Sequence, residues 1–418
     1  MISPTGRIVI VGASLAGLRA ADALRANGFD GELVIIGDEP HAPYDRPPLS
    51  KTVLSGWLGT DHLDLPWTHR LDARWLLGVA ATALDLTTRA VRLADGRTIG
   101  FDGLVIATGT RARPWPVARQ AALRGVHLLR GRDDADRLRA DLLAGPNRIL
   151  VIGGGFTGSE VASSCHDLGI PVTLTQRGAA PMASALGEVV GSAIAARQHG
   201  IDLRTHTTVV ELTGDAEGRL RQARLSDGDV VDAEVALVAT GSVRNTEWLS
   251  GSGLSADAGG VDCDAACRAL GVDGAIVPEV YVAGDVARWT HPHFDVGPQA
   301  LEHWGNAVDQ AQVAAHNLTS TSLRHNTALP AFWSDQFGMN IKSAGLPHIA
   351  DEVVLTQGSF DRGPFVAAYG RGGITVGVVA VNSPRVLDGY AALITERAAF
   401  PPAINATDSP VRALAASV

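Results

Sequence analysis

Short runs of β-branched and aliphatic residues that break at glycine dominate the hydrophobic pattern of this chain. The first, Arg7-Ile-Val-Ile-Val, stops at Gly12 and gives way to Leu18-Arg-Ala-Ala-Asp-Ala-Leu24, where apolar positions recur at helical spacing. The order predicted is strand, tight turn, helix. After Gly28 a second apolar run, Leu33 to Ile36, ends at Gly37-Asp38-Glu39, about twenty residues beyond the glycine turn, the layout of a βαβ unit with an acid at its tip.

The pattern then repeats. Arg148-Ile-Leu-Val-Ile runs into Gly153-Gly-Gly155-Phe156-Thr157-Gly158-Ser-Glu160, a helical stretch continues from Val161 to Leu168, and another strand opens at Pro171. Each copy is followed by an apolar strand that closes on the same tripeptide, Ala107-Thr108-Gly109 after the first and Ala239-Thr240-Gly241 after the second. Glu279-Val-Tyr-Val-Ala-Gly284-Asp285 resumes the first fold, and a helix is expected from about Pro298 to Leu318. Beyond a polar stretch starting near Thr319, alternating segments after Ala331 predict a small further domain. The expected fold class is α/β, with two Rossmann-like dinucleotide-binding domains plus a small C-terminal α+β domain. The first nucleotide domain is placed at 1–110 and 242–320, the second at 111–241 and the last at 321–418.

Composition narrows the class without changing that picture. A chain of 418 residues is too long for one ordinary core, and 47 glycines with 46% apolar residues fit a packed α/β protein rich in tight turns. The net charge of -9 has no basic run to offset it, so neither nucleic acid nor an anionic membrane has electrostatic support as a partner. The first apolar segment is shorter than the core of a signal peptide, and no stretch of about 18 uncharged apolar residues occurs. A cytoplasmic location is expected. Three cysteines, Cys165, Cys263 and Cys267, cannot make a disulfide framework and read as reduced, half-buried residues. His291-Pro-His293 lacks a third ligand at metal spacing, so no metal is expected.

In a dinucleotide-binding turn one glycine permits the bend, a second lets the backbone approach the pyrophosphate, and a third lets helix and strand pack closely. Gly153, Gly155 and Gly158 supply all three. The first copy reads Gly12-Ala-Ser14-Leu15-Ala16-Gly17, with small Ser14 at the middle position. One such match is weak evidence, but two in strand-to-helix context, with an acid after the first and a Gly-Asp strand later, form a specific signal.

Four segments then carry a resemblance that spans nearly the whole chain: Tyr44-Asp-Arg46-Pro-Pro-Leu-Ser-Lys51, Tyr281-Val-Ala-Gly284-Asp285, Glu302-His303-Trp304-Gly-Asn306-Ala-Val-Asp-Gln310 and Phe332-Trp333-Ser334-Asp335-Gln336. The chain resembles the two-dinucleotide-binding-domain flavoproteins, in particular the ferredoxin reductases of bacterial oxygenase systems, the putidaredoxin reductase and aromatic-dioxygenase reductase type. The resemblance implies FAD in the first nucleotide domain and NAD(P)H in the second. It puts Gly12, Ser14, Leu15, Ala16 and Gly17 at the FAD pyrophosphate and Asp38 or Glu39 near the adenosine ribose. Arg46, Lys51, Ala107, Thr108, Gly109, Gly284, Glu302 and His303 are further implied FAD contacts, with Asp285 on the ribityl chain and Trp304 beside the ring; spacing adds Ala81 and Arg130. For the nicotinamide cofactor it implies Gly153, Gly155, Phe156, Thr157, Gly158, Glu160, Gln176, Arg177, Ala239, Thr240 and Gly241. Lys51 and Glu160, each ordinary alone, resemble an ion pair beside the flavin where nicotinamide docks, and are the two catalytic candidates. A helix opening near Pro298 or Gln299 would point its dipole at the flavin's pyrimidine edge, worth roughly 0.3 to 2 kcal/mol.

The implied reaction uses what flavin does best, taking two electrons from NAD(P)H and returning them singly to an iron–sulfur ferredoxin that feeds a haem or Rieske oxygenase. No thiol is offered: the loop where peroxidase and disulfide reductase relatives carry cysteine reads His41-Ala-Pro-Tyr44. Trp333 resembles the tryptophan facing the ferredoxin, with core packing of the small domain as the alternative. Gln312 stands where the camphor-system relative presents arginine, which implies a different ferredoxin. After the second nucleotide strand, where NAD-preferring relatives place an acid, the chain has Thr175-Gln176-Arg177. Gln176 removes the repulsion of a 2′-phosphate and Arg177 supplies a guanidinium for it, or is simply a solvated loop residue, so NADPH stands open beside NADH. Arg244 replaces a common proline and the sequence gives no account of it. Reduction of a small acceptor such as a quinone or monodehydroascorbate, and a binding role like that of apoptosis-inducing factor, remain the competing readings. A monomer or weak homodimer is expected.

Overall fold

The structure, a computed structural model, describes residues 5–402 and 414–417. Its contacts divide the chain into two compact units. The first holds the described parts of Met1–Asp45, Asp64–Arg111 and Val243–Pro330, and the second holds Arg46–Leu63, Ala112–Ser242 and the described parts of Ala331–Val418. The segment 46–63, which carries Lys51, therefore belongs to the second unit and packs against its helices Arg132–Leu143 and Phe156–Asp167, although its neighbours in sequence belong to the first.

In the first unit a six-stranded sheet runs in the order Arg268–Leu270, Ile276–Val282, Gly103–Ile106, Arg7–Val11, Glu32–Ile36, Ala73–Leu76, all parallel apart from the outermost strand. Both faces are covered, and side chains alternate between them. Ile8, Ile10, Leu33, Ile35 and Val105 enter one core, with the helices Leu15–Ala26 and Trp304–Thr319, while Val9, Val11, Val34, Ile36 and Leu104 enter the other. A strand buried on both sides must be apolar at every position, which is why these segments read as unbroken runs in the sequence. Ala307, Ala311, Ala314 and Ala315 keep the second helix small on its buried side, so it lies close to Ala20 and Ala21 of the first.

The second unit repeats the design with a five-stranded parallel sheet, Asp202–Arg204, Val172–Thr175, Ile149–Ile152, Val235–Val238, Val126–His127. In both sheets the strand before the glycine turn lies between its successor and the strand that closes on Ala-Thr-Gly, so the order reverses there and opens a crevice at the strands' carboxyl ends. The C-terminal part is an antiparallel sheet ordered Ala331–Gln336, Met339–Gly345, Ile374–Val381, Phe365–Arg371, Glu352–Gly358, Leu414–Ser417, backed by the helix Leu387–Thr395. Together these elements make the α/β architecture with a small α+β part. The C-terminal part is joined to the nucleotide-binding part of its own unit by buried bonds: the Tyr369 hydroxyl donates to the Leu186 carbonyl at 2.7 Å, Gln198 Nε2 to Gln336 Oε1 at 3.0 Å, and the Phe337 amide to Ser163 Oγ at 2.7 Å.

One expected element begins later than its sequence suggests. The helix placed from Pro298 or Gln299 starts at Trp304, because Gln299 exchanges backbone hydrogen bonds with Trp289 at 2.8 and 3.1 Å and His303 keeps an extended conformation as N-cap. Any dipole effect therefore originates at Trp304.

Among the glycines of the described residues, the closest approaches lie inside the two turns. A Cβ built on Gly17 would fall 1.8 Å from the Gly12 carbonyl oxygen. Gly17→Ala is expected to cost about 3 kcal/mol, the upper end of overpacking, and to lower the midpoint of urea unfolding correspondingly. A midpoint unchanged from the wild type would refute this account of the turn.

Candidate functional site

In the first unit the turn forces Gly12 to φ +121°, where a side chain would strike the Ala107 carbonyl at 2.0 Å. Its amide donates to the Ile36 carbonyl at 2.8 Å, so the glycine is threaded between two strand ends. The first bond within the following helix runs from the Leu18 amide to the Ser14 carbonyl, and the amides of Leu15, Ala16 and Gly17 have no acceptor in the helix. That is an anion site in waiting. Gly284, at φ +82°, comes so near that an added Cβ would sit 3.0 Å from that of Ala16, and its amide is fixed on Gln310 Oε1 at 2.9 Å. Half-buried Asp285 thus arrives beside the start of the same helix. Asn245 holds the Ala107-Thr108-Gly109 turn: its side chain donates to the Thr108 carbonyl and its carbonyl accepts the Thr108 hydroxyl, both at 2.8 Å.

Other FAD candidates take distinct places in this unit. Asp38 is exposed at the tip of the second strand, whereas the Glu39 carboxylate accepts the Tyr44 hydroxyl. Ala81 opens the strand Ala81–Asp85 of a separate three-stranded sheet. Trp304 donates its Nε1 to Asp45 at 3.0 Å, which fixes the plane of the indole. Arg244, unexplained by the sequence, now has a contact: its guanidinium meets Glu302 at 3.1 Å and tethers the segment that leads into His303 and Trp304.

In the second unit Gly153 and Gly158 repeat the geometry. Built Cβ atoms would fall 2.4 Å from the Ala239 carbonyl and 1.9 Å from the Gly153 carbonyl respectively, while Gly155 faces open space. Close packing behind and room in front fit a pyrophosphate at the N-terminus of the helix Phe156–Asp167. Gln176 turns its amide oxygen back onto the Gly154 amide at 3.0 Å, and Arg177 is exposed. Its Oε1 is therefore spent on the loop itself, and its Nε2 is the group left to act as donor. Thr240 and Gly241 follow the strand Val235–Val238, with the Gly241 carbonyl held by the Arg113 amide at 2.9 Å. Arg46 and Arg130 also lie in this unit, where the Arg46 guanidinium donates to the Arg130 carbonyl at 2.9 Å.

Lys51 and Glu160, distant in sequence, form an ion pair at 2.8 Å in which the Glu160 side chain is 8% exposed. A carboxylate so sheltered needs more than one partner. Ser50 Oγ donates to the same oxygen at 2.5 Å and Ser334 Oγ to the other at 2.6 Å. Sequence reasoning named Lys51 and Glu160 but missed Ser50, Ser334, Asn245 and Gln310 as contributors. All four lie within the quoted motifs or next to named residues, but nothing in a serine or an amide says which carboxylate or amide it meets across the fold.

Residues 6–311 match the family model for pyridine nucleotide-disulphide oxidoreductases, and residues 331–415 match a reductase C-terminal model. The chain belongs to the pyridine nucleotide-disulphide oxidoreductase family. Within that family it is 37% identical to rhodocoxin reductase of Rhodococcus erythropolis, over 90% of this chain and 87% of that one. It is 38% identical to the ferredoxin–NAD(+) reductase component of the p-cumate 2,3-dioxygenase system of Pseudomonas putida, over 81% of each. Among solved structures, that of a covalent putidaredoxin reductase–putidaredoxin complex matches with a TM-score of 0.87 at 31% identity, covering 94% of this chain and 93% of that one.

The disulphide of the family name has no counterpart among the described residues. All three cysteines are free and buried. Burial pushes the Cys165 thiol up to about 12 and holds those of Cys263 and Cys267 well above the usual range, so none is a thiolate near neutrality. In the native protein a thiol reagent at pH 8 is expected to modify none of them, and all three only after unfolding. Rapid reaction of a native thiol, read by mass spectrometry, would contradict this.

Proposed function

We propose that the chain is an FAD-dependent NAD(P)H:ferredoxin oxidoreductase that delivers single electrons to an iron–sulfur ferredoxin serving an oxygenase. The observation that carries this reading is the buried Lys51–Glu160 pair in a molecule with two dinucleotide turns and no available thiol. Its relatives' names point the same way, since they are reductases of rhodocoxin, of putidaredoxin and of dioxygenase ferredoxins. FAD, when bound, supplies the exchange between a two-electron donor and a one-electron acceptor.

The chain's own residues set the conditions for that exchange. In this reading the helix amides of residues 15–17 and the Gly284-Asp285 turn hold FAD, and the turn at Gly153 to Gly158 holds the nicotinamide dinucleotide. Lys51, kept in one place by Glu160 and by the Pro47 carbonyl, which accepts from its ammonium at 3.1 Å, supplies a fixed positive charge, and fixed charges stabilise developing negative charge without the cost of reorganisation. No helix of the described residues is long and apolar enough to cross a membrane, which suits a partner met in solution. Trp333 is 40% exposed and faces outward on its strand, directly across from Lys342. This favours ferredoxin contact for Trp333 over the alternative of core packing.

The second site lacks an acid to repel a 2′-phosphate, and the Gln176 amide group next to Arg177 offers donors instead. NADPH is thus read as a substrate on at least equal terms with NADH. Gln176→Glu is expected to move the ratio of kcat/KM values toward NADH by about tenfold, the equivalent of ~1.4 kcal/mol. An unmoved ratio would remove this reading of the pocket.

The function as a whole is tested by cytochrome c reduction with NAD(P)H, with and without a candidate ferredoxin. Reduction is expected to require the ferredoxin, and Trp333→Ala is expected to raise the KM for it about tenfold while flavin reduction by NADPH stays at the wild-type rate. Equal cytochrome reduction without ferredoxin would favour a small-acceptor reductase.

A further inference from the structure

Glu160 has two carboxylate oxygens, and the structure gives them different work. Oε2 takes the Lys51 ammonium at 2.8 Å and the Ser50 hydroxyl at 2.5 Å, whereas Oε1 takes the hydroxyl of Ser334 at 2.6 Å. Ser334 comes from the first strand of the C-terminal sheet and is fully buried, while Trp333, the residue before it, is exposed.

The direction of every bond around Ser334 follows from donor chemistry. A carboxylate only accepts, so the serine proton goes to Glu160. The serine oxygen in turn accepts Gln336 Nε2 at 3.0 Å, and Gln336 Oε1 accepts Gln198 Nε2 at 3.0 Å. A buried chain therefore runs one way, from Gln198 through Gln336 and Ser334 to Glu160, and cannot reverse. Its last link is charge-assisted, the strong kind. Without that link Glu160 Oε1 would be a sheltered anionic oxygen without its partner, free to turn toward Lys51 or Ser50 and pull the ammonium from its place.

We infer that Ser334 is a positioning residue for the reduction step, which holds Oε1 of Glu160 so that Oε2 keeps Lys51 fixed. The C-terminal part of the chain then belongs to the machinery of cofactor reduction as well as to the surface that meets a partner. The inference rests on the proposed reading that the Lys51–Glu160 pair acts in flavin reduction.

An unusual feature of composition makes it measurable. Of the 35 lysines and arginines in the chain only Lys51 and Lys342 are lysines, so an amine-acylating reagent has two side-chain targets, and Lys342 is an internal reference. The experiment uses the full-length FAD-loaded protein as wild type, Ser334→Ala, Ser334→Thr and Ser343→Ala, the last being a buried serine of the neighbouring strand whose hydroxyl has no partner. Peptide mass spectrometry reads acylation of Lys51 relative to Lys342, and stopped-flow reads the limiting rate of flavin reduction and the dissociation constant for NADPH. In Ser334→Ala the labelling ratio is expected to rise about fivefold and the limiting rate to fall about tenfold, with the dissociation constant within about twofold of wild type. Ser334→Thr, which keeps the hydroxyl, should recover most of both, and Ser343→Ala should match the wild type. An unchanged labelling ratio in Ser334→Ala overturns the inference whatever the rate, as does a raised ratio at an unchanged rate. A Lys51→Met protein that is reduced at the wild-type rate would instead overturn the reading of the pair, and the labelling result would still report on Ser334.

Discussion

Each half of this molecule depends on a contact that leaves no room for a side chain. In both turns the glycine on the helix rests against the carbonyl of the glycine that follows the strand, so close that a Cβ added there would fall 1.8 Å from the carbonyl oxygen at Gly17 and 1.9 Å at Gly158. That approach sets the helix directly on the strand, and the strand is already fixed between two parallel neighbours. The free amides of the helix start are consequently aimed from the carboxyl edge of a rigid sheet, and a phosphate bound there inherits the precision of the sheet. Two glycines per turn therefore decide where the helix amides point.

The buried ion pair shows the opposite kind of constraint. Lys51 sits on a short turn and Glu160 on the helix that follows the second glycine turn, and neither is held by backbone contact alone. Removing a carboxylate from water is costly, and a single ammonium at 2.8 Å does not satisfy both of its oxygens. Ser50, from the turn that carries Lys51, and Ser334, from a third segment of the chain, supply the remaining donors. The pair thus draws together a turn, a helix and a strand of the C-terminal sheet within one unit. The sheltered carboxylate is tied down by several short bonds from different directions.

The chemistry left out is equally informative. Cysteine is present but sheltered, and its burial removes the thiolate on which a disulfide mechanism would depend. Arg244 shows how a residue with no evident purpose in the sequence gains one through a contact, since its pairing with Glu302 restrains the approach to the Trp304 helix. The same segment corrects the sequence reading of that helix. Residues near Pro298 have helical composition, yet backbone pairing with Trp289 claims the Gln299 carbonyl that a helix starting there would need as an acceptor.

The sequence by itself determined the two βαβ units, the parallel sheets and the glycines of both turns. Those features are local, because a strand buried on both faces must be apolar throughout and a turn against a carbonyl admits only glycine. It also named Lys51, Glu160, Asp285 and Trp304 as candidates through their motifs. Only the tertiary structure decided that residues 46–63 pack within the second unit, that Gln176 turns onto the Gly154 amide, and that Ser334 completes the Glu160 carboxylate. A hydroxyl or an amide can serve any polar neighbour, so its role is written in the folded contacts and not in its spacing along the chain.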